Sequence, residues 1–184
     1  MGEELENTLP IIIAGLRLKR IRRAGWVEHG VNNPESVADH TYSLALITML
    51  LADLKGLDAG KAVKMALLHD LAEAYLGDLT PSQKRGMVGG QARRLERSIL
   101  TALVKQLQPR LSSEYLKLIQ ELYEGNTPEA RLVHELDKLE MALESIMLEL
   151  EHGIDLRSFR RDALKTEIGK GLLSLIRDAG GRRS

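Results

Sequence analysis

The sequence contains no cysteine, and its 184 residues include only one tryptophan, one phenylalanine and four tyrosines. The lack of cysteine excludes a disulfide scaffold, a thiolate metal site and a cysteine nucleophile. Lysine plus arginine and aspartate plus glutamate each number 26, so the chain has no excess of positive charge with which to bind nucleic acid generally. A functional site must therefore be built from histidines, carboxylates and local cations.

A long hydrophobic run is also missing. Apolar stretches such as residues 11–15 fall far short of the ~20 residues that span a bilayer, and the acidic start has no basic signal-peptide region. We therefore expect a cytoplasmic protein with no membrane and no nucleic acid among its partners. At about 150 residues per domain, the length fits one domain, which we place at residues 1–178, followed by a frayed tail at 179–184.

The composition favours helices, because leucine, alanine, glutamate, lysine and arginine are abundant and lose little rotamer freedom in a helix. No segment alternates apolar and polar residues between hairpin turns, so no strand is predicted. We predict an all-α bundle of about six to eight helices. The predicted helices are 9–21, 33–55, 61–76, 91–108, 113–124, 128–151 and 157–177, with a short capped turn at Thr80.

Two predicted helices carry ionisable side chains among apolar ones. In the second helix, His40 lies within an apolar stripe, and a core histidine held by one hydrogen bond explains it as well as a ligand does. In the third helix, His69, Asp70 and Glu73 share an arc of about 100°. Burying these side chains without partners would destabilise the fold by roughly several kcal/mol. They therefore either form a stripe exposed to solvent or bind a cation. The apolar stripe of the second helix comprises Val37, Leu44, Ile47, Leu51 and Leu54.

The long helix that begins at Pro128 adds further candidates. Asp137 lies on the flank of its apolar stripe and Glu140 lies nearer the centre, so either carboxylate can reach inward. His134 shares a face with Asp137 only loosely, which leaves a ligand and a surface residue as alternatives. The stripe comprises Leu132, Leu136, Leu139, Leu143, Met147 and Leu150.

These residues lie within strings that resemble one family. A lone histidine, a His-Asp doublet and a distant aspartate resemble the HD-domain metal-dependent phosphohydrolases. Over roughly residues 9–150, the chain is similar to the branch that contains the bacterial 5′-deoxynucleotidases and their eukaryotic HD-domain relatives. The strings are LKRIRRAGW at 18–26, PESVADH at 34–40, LHDLAE at 68–73, GDLTP at 77–81 and LDKLEM at 136–141.

The resemblance implies a metal site. It assigns the ligand positions to His40, His69, Asp70 and Asp137, and so selects Asp137 rather than Glu140, which becomes a supporting or structural acid. Such a ligand set suits one divalent ion, which can be Mn, Co, Mg, Zn, Fe or Ni. The role of His134 stays open.

The resemblance also implies the substrate contacts. Glu73 matches the catalytic glutamate, which orients or deprotonates an attacking water. Asp78 matches an acid that is both catalytic and substrate-binding, near the sugar and the leaving 5′ oxygen. Arg23 matches the phosphate-binding arginine, for which a planar and permanently charged group is apt. Trp26 matches the aromatic residue beside the sugar, although its spacing from Arg23 is closer to that of the eukaryotic relatives.

The resemblance thus predicts a single HD domain that acts as a 5′-deoxynucleotidase on deoxyribonucleoside monophosphates, and it favours a homodimer. One alternative keeps the metal but takes a nucleoside triphosphate, a cyclic nucleotide or a non-nucleotide phosphate. Only Arg20, Arg22 and Arg23 cluster nearby in the sequence, which argues against a triphosphate. Another alternative is a non-catalytic nucleotide sensor, against which Glu73 and Asp78 argue, because a binder needs no base beside its metal.

Overall fold

Capping residues and glycines set most helix boundaries in this chain. The computed structural model describes residues 2–87 and 90–180, and within them only a single β-bridge forms, so the predicted all-α class is confirmed. Ten α-helices occur in these residues, more than the six to eight expected, because three short helices of four to six residues add to the count. The helices are α1 Gly2–Leu18, α2 Ala24–Glu28, α3 Val37–Lys55, α4 Ala59–Leu68, α5 Glu73–Leu76, α6 Pro81–Gly86, α7 Gln91–Val104, α8 Pro109–Glu124, α9 Pro128–His152 and α10 Glu167–Gly180.

Helix α3 begins later than predicted. Ser36, and not Asn33, caps it: the Ser36 hydroxyl accepts from the Asp39 amide, and the Asp39 carboxylate accepts from the Ser36 amide. This reciprocal capping box satisfies two amides that otherwise lack intrahelical partners. It fixes the start of α3, so His40 comes at the fourth helical position.

The predicted helix over 61–76 is two helices. Helix α4 ends at Leu68, and α5 begins at Glu73. Between them the chain tightens into three-residue turns, in which the Leu71 amide donates to the Leu68 carbonyl and the Glu73 amide to the Asp70 carbonyl. Side chains three residues apart eclipse in such a turn, so Asp70 and Glu73 still share one face.

The predicted helix over 157–177 is also interrupted. Two 3₁₀ turns, Arg157–Arg160 and Ala163–Lys165, precede α10. The Thr166 hydroxyl accepts from the Gly169 amide and so caps the start of α10. Helix α10 reaches Gly180, and residues 181–184 of the predicted frayed tail lie outside the described residues.

Helices α3, α4 and α9 pack together around the main core, which includes Leu44, Met65, Leu136 and Leu139. Helices α1, α7 and α8 enclose a second core with residues 68–74, and Trp26 lies in a small third one. Three residues of the predicted apolar stripes are exposed instead. The stripes repeat every seven residues, but an α-helix has 3.6 residues per turn, so the buried faces of α3 and α9 drift away from the stripes along each helix. The three exposed residues are Leu54, Met147 and Leu150.

None of the helices in the described residues combines the length and apolarity needed to cross a bilayer.

Candidate metal and phosphate site

Four side chains from three parts of the chain converge at one end of the main core. His40 Nε2 lies 3.3 Å from Asp137 Oδ1 and 3.8 Å from Asp70 Oδ2. His69 Nε2 lies 2.9 Å from the same Asp70 oxygen and 4.0 Å from Asp137 Oδ1. The ligand atoms of His40, His69 and Asp137 all lie within 4.8 Å of one another. The structure thus brings together the four residues that the resemblance assigns to a metal site.

The donor set fits a divalent ion. His69 Nδ1 donates to the Ala66 carbonyl at 2.6 Å, and His40 Nδ1 faces the Glu140 carboxylate at 2.5 Å. Because these partners accept, each ring carries a proton on Nδ1, and Nε2 presents a lone pair whenever the ring is neutral. Both Nε2 atoms are buried without a hydrogen-bond partner in the described residues. Two imidazole nitrogens and two carboxylates facing one point are ligands suited to several divalent ions.

Electrostatics at this point favour added positive charge. Burial by itself would raise the pKa of Asp70, but the charge and hydrogen bond of His69, with Arg23 and His40, hold that pKa well below its usual range. Burial would likewise lower the pKa of His40, but its contacts with the Asp137 and Glu140 carboxylates raise it to about 10. Closely spaced carboxylates thus retain a proton on His40 in the absence of a bound cation.

Arg23 and Asp78 lie beside this cluster on turns. Arg23 Nη1 is 3.4 Å from Asp78 Oδ2 and 3.7 Å from Asp70 Oδ2. Asp78 also accepts from the Ala24 amide at 2.8 Å, which ties it to the start of α2. Gly77 precedes Asp78 with φ 75° and ψ 166°, a conformation that side-chain-bearing residues rarely adopt. That turn places the Asp78 carboxylate where it contacts both Arg23 and α2.

Glu73 is buried beside the same residues, and its Oε2 lacks a hydrogen-bond partner in the part of the chain that the structure describes. Burial, and then the negative charges of Asp70 and Asp78, raise the pKa of Glu73 to about 10. A carboxyl group with such a pKa gives up its proton readily only when positive charge is placed next to it.

Further polar groups lie near His40 on the side of its ring that carries Nδ1. Glu140, which is 4% exposed, faces His40 Nδ1, and Glu35 has a ligand atom within 4.8 Å of both residues. Trp26 Nε1 donates to Glu35 Oε1 at 2.8 Å. Burial, and then the charge of Glu140, raise the pKa of Glu35 to about 7. Trp26, Glu35 and Glu140 therefore link the third core to a predicted metal ligand.

The cluster opens into a cavity of about 630 Å³ that Arg23, Asp70, Glu73, Asp78 and Asp137 line together. Its volume is within the range of small-molecule sites, roughly 300–1,000 Å³.

The cations that line the cavity differ from the arginines that cluster near Arg23 in the sequence. Arg20 and Arg22 are exposed and donate to the carbonyls of Leu16 and Pro34 instead. Three cations distant in sequence line the cavity, and no local pattern predicts them. They are Lys84, Arg85 and Lys138, of which Lys84 also pairs with Glu96 and Lys138 with Asp137.

Trp26 is not brought to the cavity. It is 1% exposed, it is absent from the cavity lining, and its N–H is bound to Glu35. Phe159 packs against Trp26 and lines the cavity in its place. Sequence reasoning missed Phe159, and the only available signal was that it is the single phenylalanine of the chain.

His134, the residue left open above, is exposed and its Nε2 contacts the Leu122 carbonyl at 2.7 Å. It lines a neighbouring cavity of about 590 Å³ that Asp70 and Asp137 also line. His134 is therefore close to the cluster, but its ring is bound to α8 and not to the four converging side chains.

Comparisons with known proteins agree with this geometry. The HD domain family model matches residues 16–170. The chain is 39% identical over 155 residues to "5'-deoxynucleotidase HDDC2" of Dictyostelium discoideum, and the alignment covers 78% of this chain and 80% of that protein. It is 35% identical over 139 residues to "5'-deoxynucleotidase hdd1" of Schizosaccharomyces pombe, covering 73% and 69%. A conserved hypothetical protein from Pyrococcus furiosus has a similar structure, with a TM-score of 0.74, 36% identity and coverage of 96% and 99%.

Proposed function

The chain belongs to the HD domain family, and from that premise we propose that it is a 5′-deoxynucleotidase that depends on one divalent metal ion. Its substrate is a deoxyribonucleoside monophosphate, and its products are the deoxynucleoside and inorganic phosphate. Water forms the new bond to phosphorus, the bond from phosphorus to the 5′ oxygen breaks, and that oxygen leaves with a proton.

The observation that supports this function best is the meeting of two kinds of group beside one cavity. Two imidazoles and two carboxylates face a common point, and Arg23 lies 3.7 Å from one of those carboxylates. His40, His69, Asp70 and Asp137 would hold the ion. When bound, a divalent ion supplies Lewis acidity toward the phosphoryl oxygens and toward water.

The remaining residues position the ester and move protons. The Arg23 guanidinium binds phosphoryl oxygens, where its fixed charge offsets the negative charge that builds up during transfer. Glu73, which is buried beside Asp70, would orient the attacking water and accept its proton once a bound cation lowers the raised pKa of its carboxyl group. Asp78 is held by Ala24 and Arg23, and in this proposal its carboxylate contacts the sugar and the leaving oxygen.

A triphosphate is the second candidate substrate. Lys84, Arg85 and Lys138 line the cavity, so the scarcity of cations no longer argues against a longer phosphate chain. Lys84 and Lys138 are partly neutralised by Glu96 and Asp137, which leaves less charge for extra phosphates.

The deciding experiment is a panel of phosphate esters assayed against metal-stripped protein reloaded with Mn, Co, Mg or Zn. We expect inorganic phosphate from deoxynucleoside monophosphates with at least one ion and much slower turnover of the triphosphates. Faster release of pyrophosphate or triphosphate would replace the substrate assignment. Binding of nucleotide without turnover of any ester by any loaded form would favour a nucleotide sensor.

A homodimer is part of the proposal. Helices α1 and α3 leave apolar side chains exposed, which on a soluble chain marks an interaction surface. Replacing Leu50 by glutamate should shift the particle mass from two chains to one in light scattering, whereas Ser113→Glu, which adds the same charge at an exposed polar position of α8, should not. The exposed side chains include Leu9, Ile12, Leu16, Leu46 and Leu50.

A further inference from the structure

The cavity that holds the charged cluster has an aromatic wall. Phe159 is the only phenylalanine, tyrosine or tryptophan that lines this cavity in the described residues. Large apolar rings are usually buried in cores, yet Phe159 is only half-buried and remains at the cavity surface. None of the roles proposed above for Arg23, Glu73 or Asp78 uses this ring.

The ring is firmly supported. Its centroid lies 4.3 Å from the Trp26 ring and 4.9 Å from the His29 imidazole, which meets it edge-on. A Cβ atom added to Gly25 would lie 3.3 Å from Phe159 Cε1, so the glycine allows the ring to approach α2 closely. Trp26 is itself fixed by its hydrogen bond to Glu35. Phe159 therefore has a rigid backing, as a binding platform requires.

Polar contacts to α9 fix the backbone that carries the ring. The Leu156 amide donates to Glu149 Oε1 at 2.7 Å, and Arg160 Nε donates to Ser145 Oγ at 3.0 Å. The Phe159 amide closes the turn on the Leu156 carbonyl at 3.1 Å. These bonds hold the 3₁₀ turn in place, although it lies between two longer helices.

The other residues that line the cavity are mostly charged or polar, and they suit the phosphate of a substrate better than its base. The ionised groups bind phosphate and cation but provide little apolar surface for a nucleoside. Near Phe159 in sequence, Ser158 and Asp162 also line the cavity, so an apolar ring has hydrogen-bonding groups in its neighbourhood. A flat heteroaromatic ring with a polar edge matches this combination, because every base has a π face that stacks on an aromatic side chain.

We infer that Phe159 is the platform on which the nucleobase of the substrate stacks, with Trp26 as its backing. The inference rests on the proposed function, since only a nucleotide substrate brings a base into this cavity. Phe159 determines specificity by distinguishing nucleotides from sugar phosphates that lack a base.

The test compares two substrates that share the phosphate ester and the sugar. A deoxynucleoside 5′-monophosphate carries a base, and 2-deoxyribose 5-phosphate does not. In the metal-loaded enzyme, Phe159→Ala should raise the KM for the nucleotide about tenfold, the scale of one lost base–aromatic stack. The KM for the sugar phosphate and the kcat for both should change by less than about twofold. A parallel rise for both substrates, or no rise for the nucleotide, would overturn the inference.

Two further variants cover the case in which Phe159→Ala does not fold. Phe159→Leu keeps apolar volume against Trp26 but removes the π face, and Gly25→Ala keeps Phe159 but crowds its ring. Both should raise the nucleotide KM selectively, by less than Phe159→Ala does. Leu164→Ala, a partly exposed residue outside the cavity lining, is the matched control and should alter neither KM. Failure of the proposed function looks different, because the wild-type enzyme would then release phosphate from neither substrate.

Discussion

The two sides of the cavity are built differently. On the metal side, His40 and Asp137 project from the long helices α3 and α9, and His69 caps the end of α4. On the phosphate side, Arg23 and Asp78 lie on turns, where Arg23 pairs with Asp78 and Asp70, and Asp78 also accepts from the Ala24 amide. Helix packing positions the first group, whereas charge pairing positions the second.

This difference has a consequence for substitutions. A ligand carried by a packed helix can be replaced without moving its neighbours, because the core holds the backbone in place. A residue on the phosphate side also serves as the partner of the next one, so its removal leaves a buried charge unpaired. Changes on the metal side should therefore act through metal content, and changes on the phosphate side should act on several properties together.

Asp70→Asn tests the metal side most severely, because Asp70 contacts both His69 and Arg23. It should remove most of the bound divalent ion and the turnover with it, by more than the roughly 10- to 100-fold typical of a residue that only supports a ligand. Helical content should stay nearly intact. Metal analysis and circular dichroism would be compared with Asp53→Asn, which changes an exposed aspartate on α3. Wild-type metal occupancy would contradict the ligand set.

Glu73→Ala should separate chemistry from binding. The variant should keep its metal and bind a deoxynucleotide, yet lose about two to four orders of magnitude in turnover, as is usual for a positioned acid–base group. Glu73→Gln should be nearly as slow, because an amide cannot accept the proton. Single-turnover assays on metal-loaded protein would measure both variants. Near-normal turnover would transfer the role of base to another residue, and Asp78 would be the next candidate.

The same two sides differ in how well the sequence predicts them. His40, Asp137 and Glu140 follow helical periodicity, and the structure buries His40 and Glu140 and places the half-buried Asp137 beside His40. Periodicity does not predict the tight turns after Leu68, nor does it bring Lys84 to the cavity, because those positions depend on contacts between distant segments. The resemblance placed Arg23 and Asp78 near each other, whereas composition and spacing alone do not.

A similar limit explains why Trp26 was predicted beside the sugar but is buried, and why Phe159 was not predicted as a site residue. A motif match transfers a residue type to a position but not the burial of its side chain. Phe159 comes from a stretch predicted to be a regular helix, and a 3₁₀ turn anchored on α9 turns it toward the cavity instead.

Arg23→Ala tests the phosphate side. The substitution removes a charge-assisted hydrogen bond to the phosphoryl group, worth about 1.5–3 kcal/mol, so kcat/KM on monophosphates should fall roughly 10- to 150-fold. It also leaves Asp70 and Asp78 without their cation, so metal affinity should rise slightly as the ion loses a like-charged neighbour. Arg20→Ala, which alters an exposed arginine bound to the Leu16 carbonyl, should change neither quantity. Unchanged catalytic efficiency in Arg23→Ala would exclude it as the phosphate-binding residue.

Glu140→Gln offers the finest test of the metal side, because it changes no ligand. The Glu140 carboxylate accepts from His40 Nδ1 at 2.5 Å inside the core, and this bond fixes which nitrogen of His40 faces the ion. An amide keeps the shape and can still accept through its oxygen, but it lacks the charge that makes the imidazole a stronger donor to a metal. We expect metal affinity to fall about 10- to 100-fold, with kcat nearly restored when the ion is saturating. Isothermal titration of the metal-stripped protein measures the metal affinity, and saturation kinetics measure kcat.

Glu151→Gln, which changes an exposed acid on the same helix, supplies the matched control. Helices α3 and α9 are held by the main core, so Glu140→Gln should not move the residues that bind phosphate. A lower kcat at saturating metal would show that the metal side and the phosphate side of the cavity are coupled. The two sides could then no longer be treated as separately positioned.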